Sequence, residues 1–132
     1  MRYMLDTNVC SYILKNRPLE VKRRFEQTGP GAVCVSAIVL SELYYGAARH
    51  QNSLVIRREI DDFINRLEIV PWDLQAADQY GALRASLEKA GTPLGAMDML
   101  IAAHAKSREM ILVTNNLREF NRVQGLHAEN WI

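Results

Sequence analysis

Short apolar runs alternate with longer amphipathic stretches along this chain, and that alternation limits the fold more than any other feature. Residues 2–5, 33–35, 68–72, 110–114 and 127–131 read as strands. Between them, residues 7–16, the stretch opened by Pro18, the stretch from Ser36 to about 48, and residues 53–66, 73–90, 98–107 and 116–122 read as helices. Ser36 stands where an N-cap is needed, and Gly29-Pro30-Gly31 marks a break. Strands separated by helices are joined by crossovers, which makes the sheet mostly parallel and covers both of its faces. The fold class expected is α/β: a three-layer α/β/α arrangement with a mostly parallel central sheet. The 132 residues fit a single domain.

In such sheets ligands bind outside the carboxyl ends of the strands. The stretch MLDTN, residues 4–8, delivers Asp6 to that edge at the end of the first strand. Glu42 lies in the second turn of the helix that leaves strand 33–35, and Asp98 follows a Gly- and Pro-containing loop at a helix start. Thr114, Asn115 and Asn116 leave the edge after the strand at 110–113. Each acid alone has an ordinary reading. Asp6 and Asp98 suit helix N-caps, and Glu42 suits a solvated helix face. Together they suggest a pocket of carboxylates. Two such charges at 4 Å repel by roughly 4 kcal/mol at an effective dielectric of about 20, which a hard divalent cation offsets. Mg²⁺, with Mn²⁺ as a substitute, takes oxygen ligands and promotes attack of water on a phosphodiester. Asn116 would add an amide oxygen or orient that water.

Composition narrows the classes. The net charge is +1, too small for a protein that merely coats nucleic acid. The basic residues are clustered, however: Lys15, Arg17, Lys22, Arg23 and Arg24 in one segment, Arg49, His50, Arg57 and Arg58 in another. These suit RNA phosphates or ordinary solvated faces. Cys10 and Cys34 lack metal spacing and read as buried free thiols. His104 sits in an Ala-rich apolar helix and reads as a buried, hydrogen-bonded side chain, and His50 and His127 have no zinc-site spacing. Trp72, Trp131 and the pair Tyr44-Tyr45 are expected to fill the core or an interface rather than to stack on bases. There is no charged leader ahead of an apolar core, and no apolar run near the ~20 residues of a membrane span. A cytoplasmic protein without membrane association is expected.

The quoted motifs carry a resemblance. MLDTN, SELYYGA (41–47), GTPLGAMD (91–98), AAHA (102–105), LVTNNLREF (112–120) and GLHAENW (125–131) resemble, in order and spacing, the PIN-domain ribonuclease toxins of the VapC type. The resemblance covers essentially the whole chain. It implies a Mg²⁺-dependent endoribonuclease with Asp6, Glu42 and Asp98 as the metal-binding and catalytic acids. Asn116 matches a position where many members carry a fourth acid, which implies one tightly held ion rather than two. Glu119 would add outer charge or be a surface residue, and Thr7, Asn8 and Thr114 would hold the carboxylates. An activated water would attack phosphorus, leaving a 5′-phosphate and a 3′-hydroxyl. The substrate implied is tRNA in its anticodon stem–loop, initiator tRNA first, with ribosomal or messenger RNA as alternatives. A VapB-type antitoxin is the implied partner, its tail in the acidic cleft. A homodimer, a toxin–antitoxin hetero-oligomer and operator DNA bound through the antitoxin complete the implied assembly.

Three other readings compete. A haloacid dehalogenase-type phosphatase needs a second Asp two residues after the first, and position 8 is Asn. A receiver domain needs an Asp after a central strand and a Lys after a late one, where this chain has Ser36-Ala37 and Thr114-Asn115-Asn116. A non-catalytic binding module of the same fold is the third.

Overall fold

The computed structural model describes residues 2–132. Its element order is β1 (Tyr3–Leu5), α1 (Thr7–Lys15), α2 (Leu19–Thr28), a 3-10 turn (Pro30–Ala32), β2 (Val33–Ser36), α3 (Ala37–Arg49), α4 (Ser53–Ile64), β3 (Glu68–Val70), α5 (Leu74–Lys89), α6 (Ala96–Ser107), β4 (Ile111–Val113), α7 (Leu117–Phe120) and β5 (Ala128–Glu129). The five strands form one sheet in the order β3-β2-β1-β4-β5. Every pairing is parallel. Crossovers leading from β1 through β2 to β3 run one way across the sheet, and those leading to β4 and β5 run the other way. With right-handed crossovers, α1–α4 cover one face and α5–α7 the other. The expected α/β/α layering is what the chain adopts. No helix among the described residues is long and apolar enough to cross a membrane.

The sheet is the core. Met4 and Leu5 of β1, Val33 to Val35 of β2 and Leu112 and Val113 of β4 are fully buried. Continuous apolar runs, rather than alternating ones, are what a strand covered on both faces requires. Phe25 and Phe120 fill space beneath the helices, and both cysteines are buried free thiols.

Several boundaries differ from those expected, for local reasons. The third strand stops at Val70 because Pro71 has no amide hydrogen for a ladder. Pro18 is the N-cap of α2 instead of its first helical residue. α6 begins at Ala96, with Gly95 as its cap, so Asp98 lies within the first turn rather than capping the helix. Trp131 is buried as expected, and the half-buried Trp72 donates its indole hydrogen to the Leu100 carbonyl at 3.0 Å. Tyr45 is no core residue: it is 64% exposed.

One buried polar contact links the layers. Ser36 ends β2 and caps α3, its hydroxyl oxygen accepting from the Ile38 amide at 3.1 Å. The same oxygen lies 2.7 Å from Nδ1 of His104, in the interior of α6. The hydroxyl can both donate and accept, so the ring tautomer sets which of the two groups donates. Nε2 has no hydrogen-bond partner among the described residues. Burial, then Arg108, depresses the His104 pKa against weaker opposing pulls from Asp73 and Pro71, so the ring is neutral.

Ser36→Ala removes the cap and leaves Nδ1 of a fully buried ring unpaired. Unfolding in urea should show stability lowered by about 1–3 kcal/mol with an unchanged denaturant slope. An unaltered midpoint would mean that the contact contributes nothing to stability.

Candidate active site

The site is built around Asp6, where the central strand becomes a helix. The Asp6 amide donates to the Val113 carbonyl of β4 at 3.0 Å, extending the β1–β4 ladder by one bond. Its carboxylate Oδ1 accepts from the Val9 amide at 2.9 Å and so caps α1. Strand order reverses between β1 and β4, which makes this the topological switch point of the sheet. The side chain is only 5% exposed. Burial raises its pKa from the ordinary 3.8 to about 6. The Thr114 hydroxyl and the Val9 amide pull it down, and the charges of Asp98 and Glu42 push it up further.

Glu42 comes from the second turn of α3. Its Oε1 accepts a 2.6 Å hydrogen bond from the Thr7 hydroxyl at the start of α1. Asp98 comes from the first turn of α6, where the helix dipole favours an anion. Its pKa is nevertheless raised, by burial first, then by the charges of Glu42 and Glu119. Acids from positions 6, 42 and 98 therefore act on one another at one edge of the sheet.

They share a field without forming a ligand cage. Among the described residues, no three His, Cys, Asp or Glu side chains stand in a grouping that would hold an ion as placed. Like charges in a poorly hydrated pocket hold apart, and Glu42 has the Thr7 hydroxyl to satisfy it. The donor chemistry still fits a hard cation. All three groups offer carboxylate oxygens, and no thiolate or imidazole joins them, so the set suits Mg²⁺ or Mn²⁺ rather than zinc.

The remaining sequence candidates divide. Thr7 touches Glu42, and Thr114 is buried against Asp6. Thr114 Oγ1 also accepts from the Asn116 amide at 2.9 Å. The Asn116 side chain donates to Glu119 Oε2 at 2.8 Å, so it holds an acid that acts on Asp98. Asn8 is exposed and joins none of these contacts. One contact escaped sequence reasoning: Asn115 donates to the Tyr12 hydroxyl at 2.7 Å, tying the loop after β4 to α1. Tyr12 sits within the stretch 7–16 that reads as a helix, and nothing in its spacing marks the hydroxyl.

Beside Glu42 a groove of about 320 Å³ opens between α1, α3 and α4. Thr7 and Glu42 line one part, Lys15 and His50 another, and Leu43 and Ile60 supply apolar surface.

Comparison with known proteins agrees with this architecture. The PIN domain family matches residues 3–126. Ribonuclease VapC2 of Haemophilus influenzae is 46% identical over 132 residues, covering 100% of this chain and 99% of that protein. The tRNA(fMet)-specific endonuclease VapC of Shigella flexneri is 43% identical, covering 99% of this chain and 98% of that protein. Among solved structures, DNA-bound VapBC from Salmonella typhimurium superposes with a TM-score of 0.94 at 42% identity, over 100% of this chain and 99% of that one. VapBC2 of Rickettsia felis, bound to a DNA fragment from its promoter, gives 0.94 at 38% identity, with both chains fully covered. With a matching domain over nearly its whole length and relatives this similar, the chain belongs to the PIN-domain family, within its VapC type.

Proposed function

We propose that this protein is the toxin of a type II toxin–antitoxin pair, a divalent-cation-dependent endoribonuclease that cuts tRNA in the anticodon stem–loop and so stops translation. Initiator tRNA is the first substrate. The observation that carries the reading is the buried, charge-coupled Asp6 at the switch point, with Glu42 and Asp98 beside it. Relatives named as ribonucleases and as tRNA(fMet)-specific endonucleases support the substrate class. VapBC complexes among the structural neighbours, some with DNA, support a VapB-type antitoxin that binds operator DNA. A homodimer is part of the same reading, and the antitoxin tail lies in the acidic cleft.

Asp6 and Asp98 would hold Mg²⁺, or Mn²⁺ in its place, and the bound ion would neutralise phosphate charge and lower the pKa of water. Thr7 orients Glu42, which accepts the proton of the attacking water. Water adds to phosphorus as the bond to the 3′-oxygen breaks, and that oxygen takes a proton from solvent, leaving a 5′-phosphate and a 3′-hydroxyl. Thr114 steadies Asp6, and Asn116 keeps Glu119 turned to the site, where its charge favours cation binding.

Asp6→Asn tests the assignment. Purified variant and wild type are incubated with total tRNA and Mg²⁺, and the RNA ends are mapped. The variant should lose about three orders of magnitude or more in rate, and growth inhibition with it. Normal cleavage would remove Asp6 from the mechanism, and no cleavage by wild type under any divalent ion would favour a binding module.

Stability should move the other way. The folded Asp6 pKa lies above the unfolded one, so stability from this group is complete below about pH 3.8 and is lost as pH rises through about 6. Asn still caps α1 but carries no charge. In EDTA at pH 8 the variant should therefore be more stable than wild type by up to about 3 kcal/mol, with little difference near pH 4. Equal stabilities at both pH values would mean that burying the charge costs nothing.

Cation binding requires ionised Asp6. Titration of wild type with Mn²⁺ should show affinity rising about tenfold per pH unit below 6 and levelling off above it. A flat profile would place the ion elsewhere.

A further inference from the structure

The geometry points to Tyr45 and Arg49 as a stacking step beside the acidic centre, on which one nucleobase next to the cleaved bond lies. This deepens the nuclease reading above and rests on it. The two adjacent tyrosines are employed differently. The Tyr44 hydroxyl donates to Asp61 Oδ1 at 2.6 Å, and the Arg57 guanidinium lies 3.6 Å from its ring centroid. Face and polar end of Tyr44 are thus both used within the α3–α4 pair. Tyr45 is 64% exposed, and the Arg49 guanidinium is 5.1 Å from its ring centroid.

The helix places this pair at the site. Tyr45 follows Glu42 by three residues, which makes the two surface neighbours with Cβ atoms about 5–6 Å apart. Side chains on a helix lean toward its amino terminus. Arg49 accordingly leans onto Tyr45, and Tyr45 leans over the turn that carries Glu42. One turn rises about 5.4 Å, comparable with one to two stacked nucleotides at about 3.4 Å each. A phosphodiester at the acids therefore brings a flanking base to the tyrosine.

The chemistry of the pair suits a nucleobase. Every base offers a π face, and an aromatic ring backed by a guanidinium is a sequence-tolerant platform for it. Arg49 joins none of the ion pairs among the described residues. It keeps a positive charge for the neighbouring phosphate. Unstacked loop bases, unlike those within a duplex, can reach such a ring.

The experiment measures steady-state cleavage of the anticodon stem–loop RNA of initiator tRNA by wild type, Tyr45→Ala, Tyr45→Trp and Arg49→Ala. It is repeated with RNAs abasic at each nucleotide flanking the cleaved bond. Tyr45→Ala should raise KM about 10- to 100-fold with kcat nearly unchanged. Tyr45→Trp should restore KM, and Arg49→Ala should raise it less than Tyr45→Ala does. On one of the abasic RNAs, wild type and Tyr45→Ala should become equal. Equal KM on the intact RNA overturns the proposal, as does a loss that persists on every abasic RNA. Weaker binding of the antitoxin or of a second copy, with RNA KM unchanged, assigns the ring to a protein interface and also overturns it. If wild type neither binds nor cuts this RNA, the initiator-tRNA reading falls and this one with it; a wild type that cuts normally confines any failure to the stacking step.

Discussion

A carboxylate nine-tenths withdrawn from water is the constraint on which the other parts of the molecule depend. Asp6 is 5% exposed at the end of the central strand, with two more acids acting on it. An ion in such a place must be held by hydrogen bonds, neutralised by a proton or matched by an opposite charge. The Val9 amide and the Thr114 hydroxyl hold it in part, yet its pKa still rises to about 6. Near neutral pH the group remains largely ionised and incompletely compensated. The fold tolerates this because β1 is clamped between β2 and β4, and because α1 cannot start cleanly without a side-chain acceptor at that position.

Glu42 and Asp98 depend on two helices whose relative position is set elsewhere. α3 starts from Ser36 and α6 contains His104, and these two residues meet in the buried layer. Glu42 lies six residues after the one contact residue and Asp98 six before the other. A single hydrogen-bonded junction thus stands about equally far from both acids along their helices. Thr7 then draws Glu42 toward the helix that Asp6 caps, so that α1, α3 and α6 contribute to one patch of negative potential.

Much of the scaffold was legible in the sequence. Continuous apolar strands followed by amphipathic helices admit few arrangements besides a parallel sheet, and Ser36 marks a helix start by a mechanism as well as by frequency. The acids were legible as residues that such a sheet sends to its carboxyl edge. Side-chain directions were not. Asn116 offered an oxygen by its letter, while its nitrogen is bonded to Glu119. Tyr44 and Tyr45 look alike in a string, yet one helical step of about 100° turns one toward α4 and the other into water. Asp98 read as a cap because a loop precedes it, but Gly95 takes that place and leaves the carboxylate for the pocket.

The order of strands has a consequence for the birth of the molecule. β1 is made first, and one of its two neighbours, β4, spans Ile111–Val113 near the other end of the chain. The backbone bond that fixes Asp6 ends on Val113, and the hydroxyl that steadies it belongs to Thr114. While the polypeptide is still emerging from the ribosome, the first strand has only half its sheet and the acidic pocket lacks a wall. The carboxylate at position 6 therefore gains the last of its hydrogen-bond partners only once residues 113 and 114 have been made.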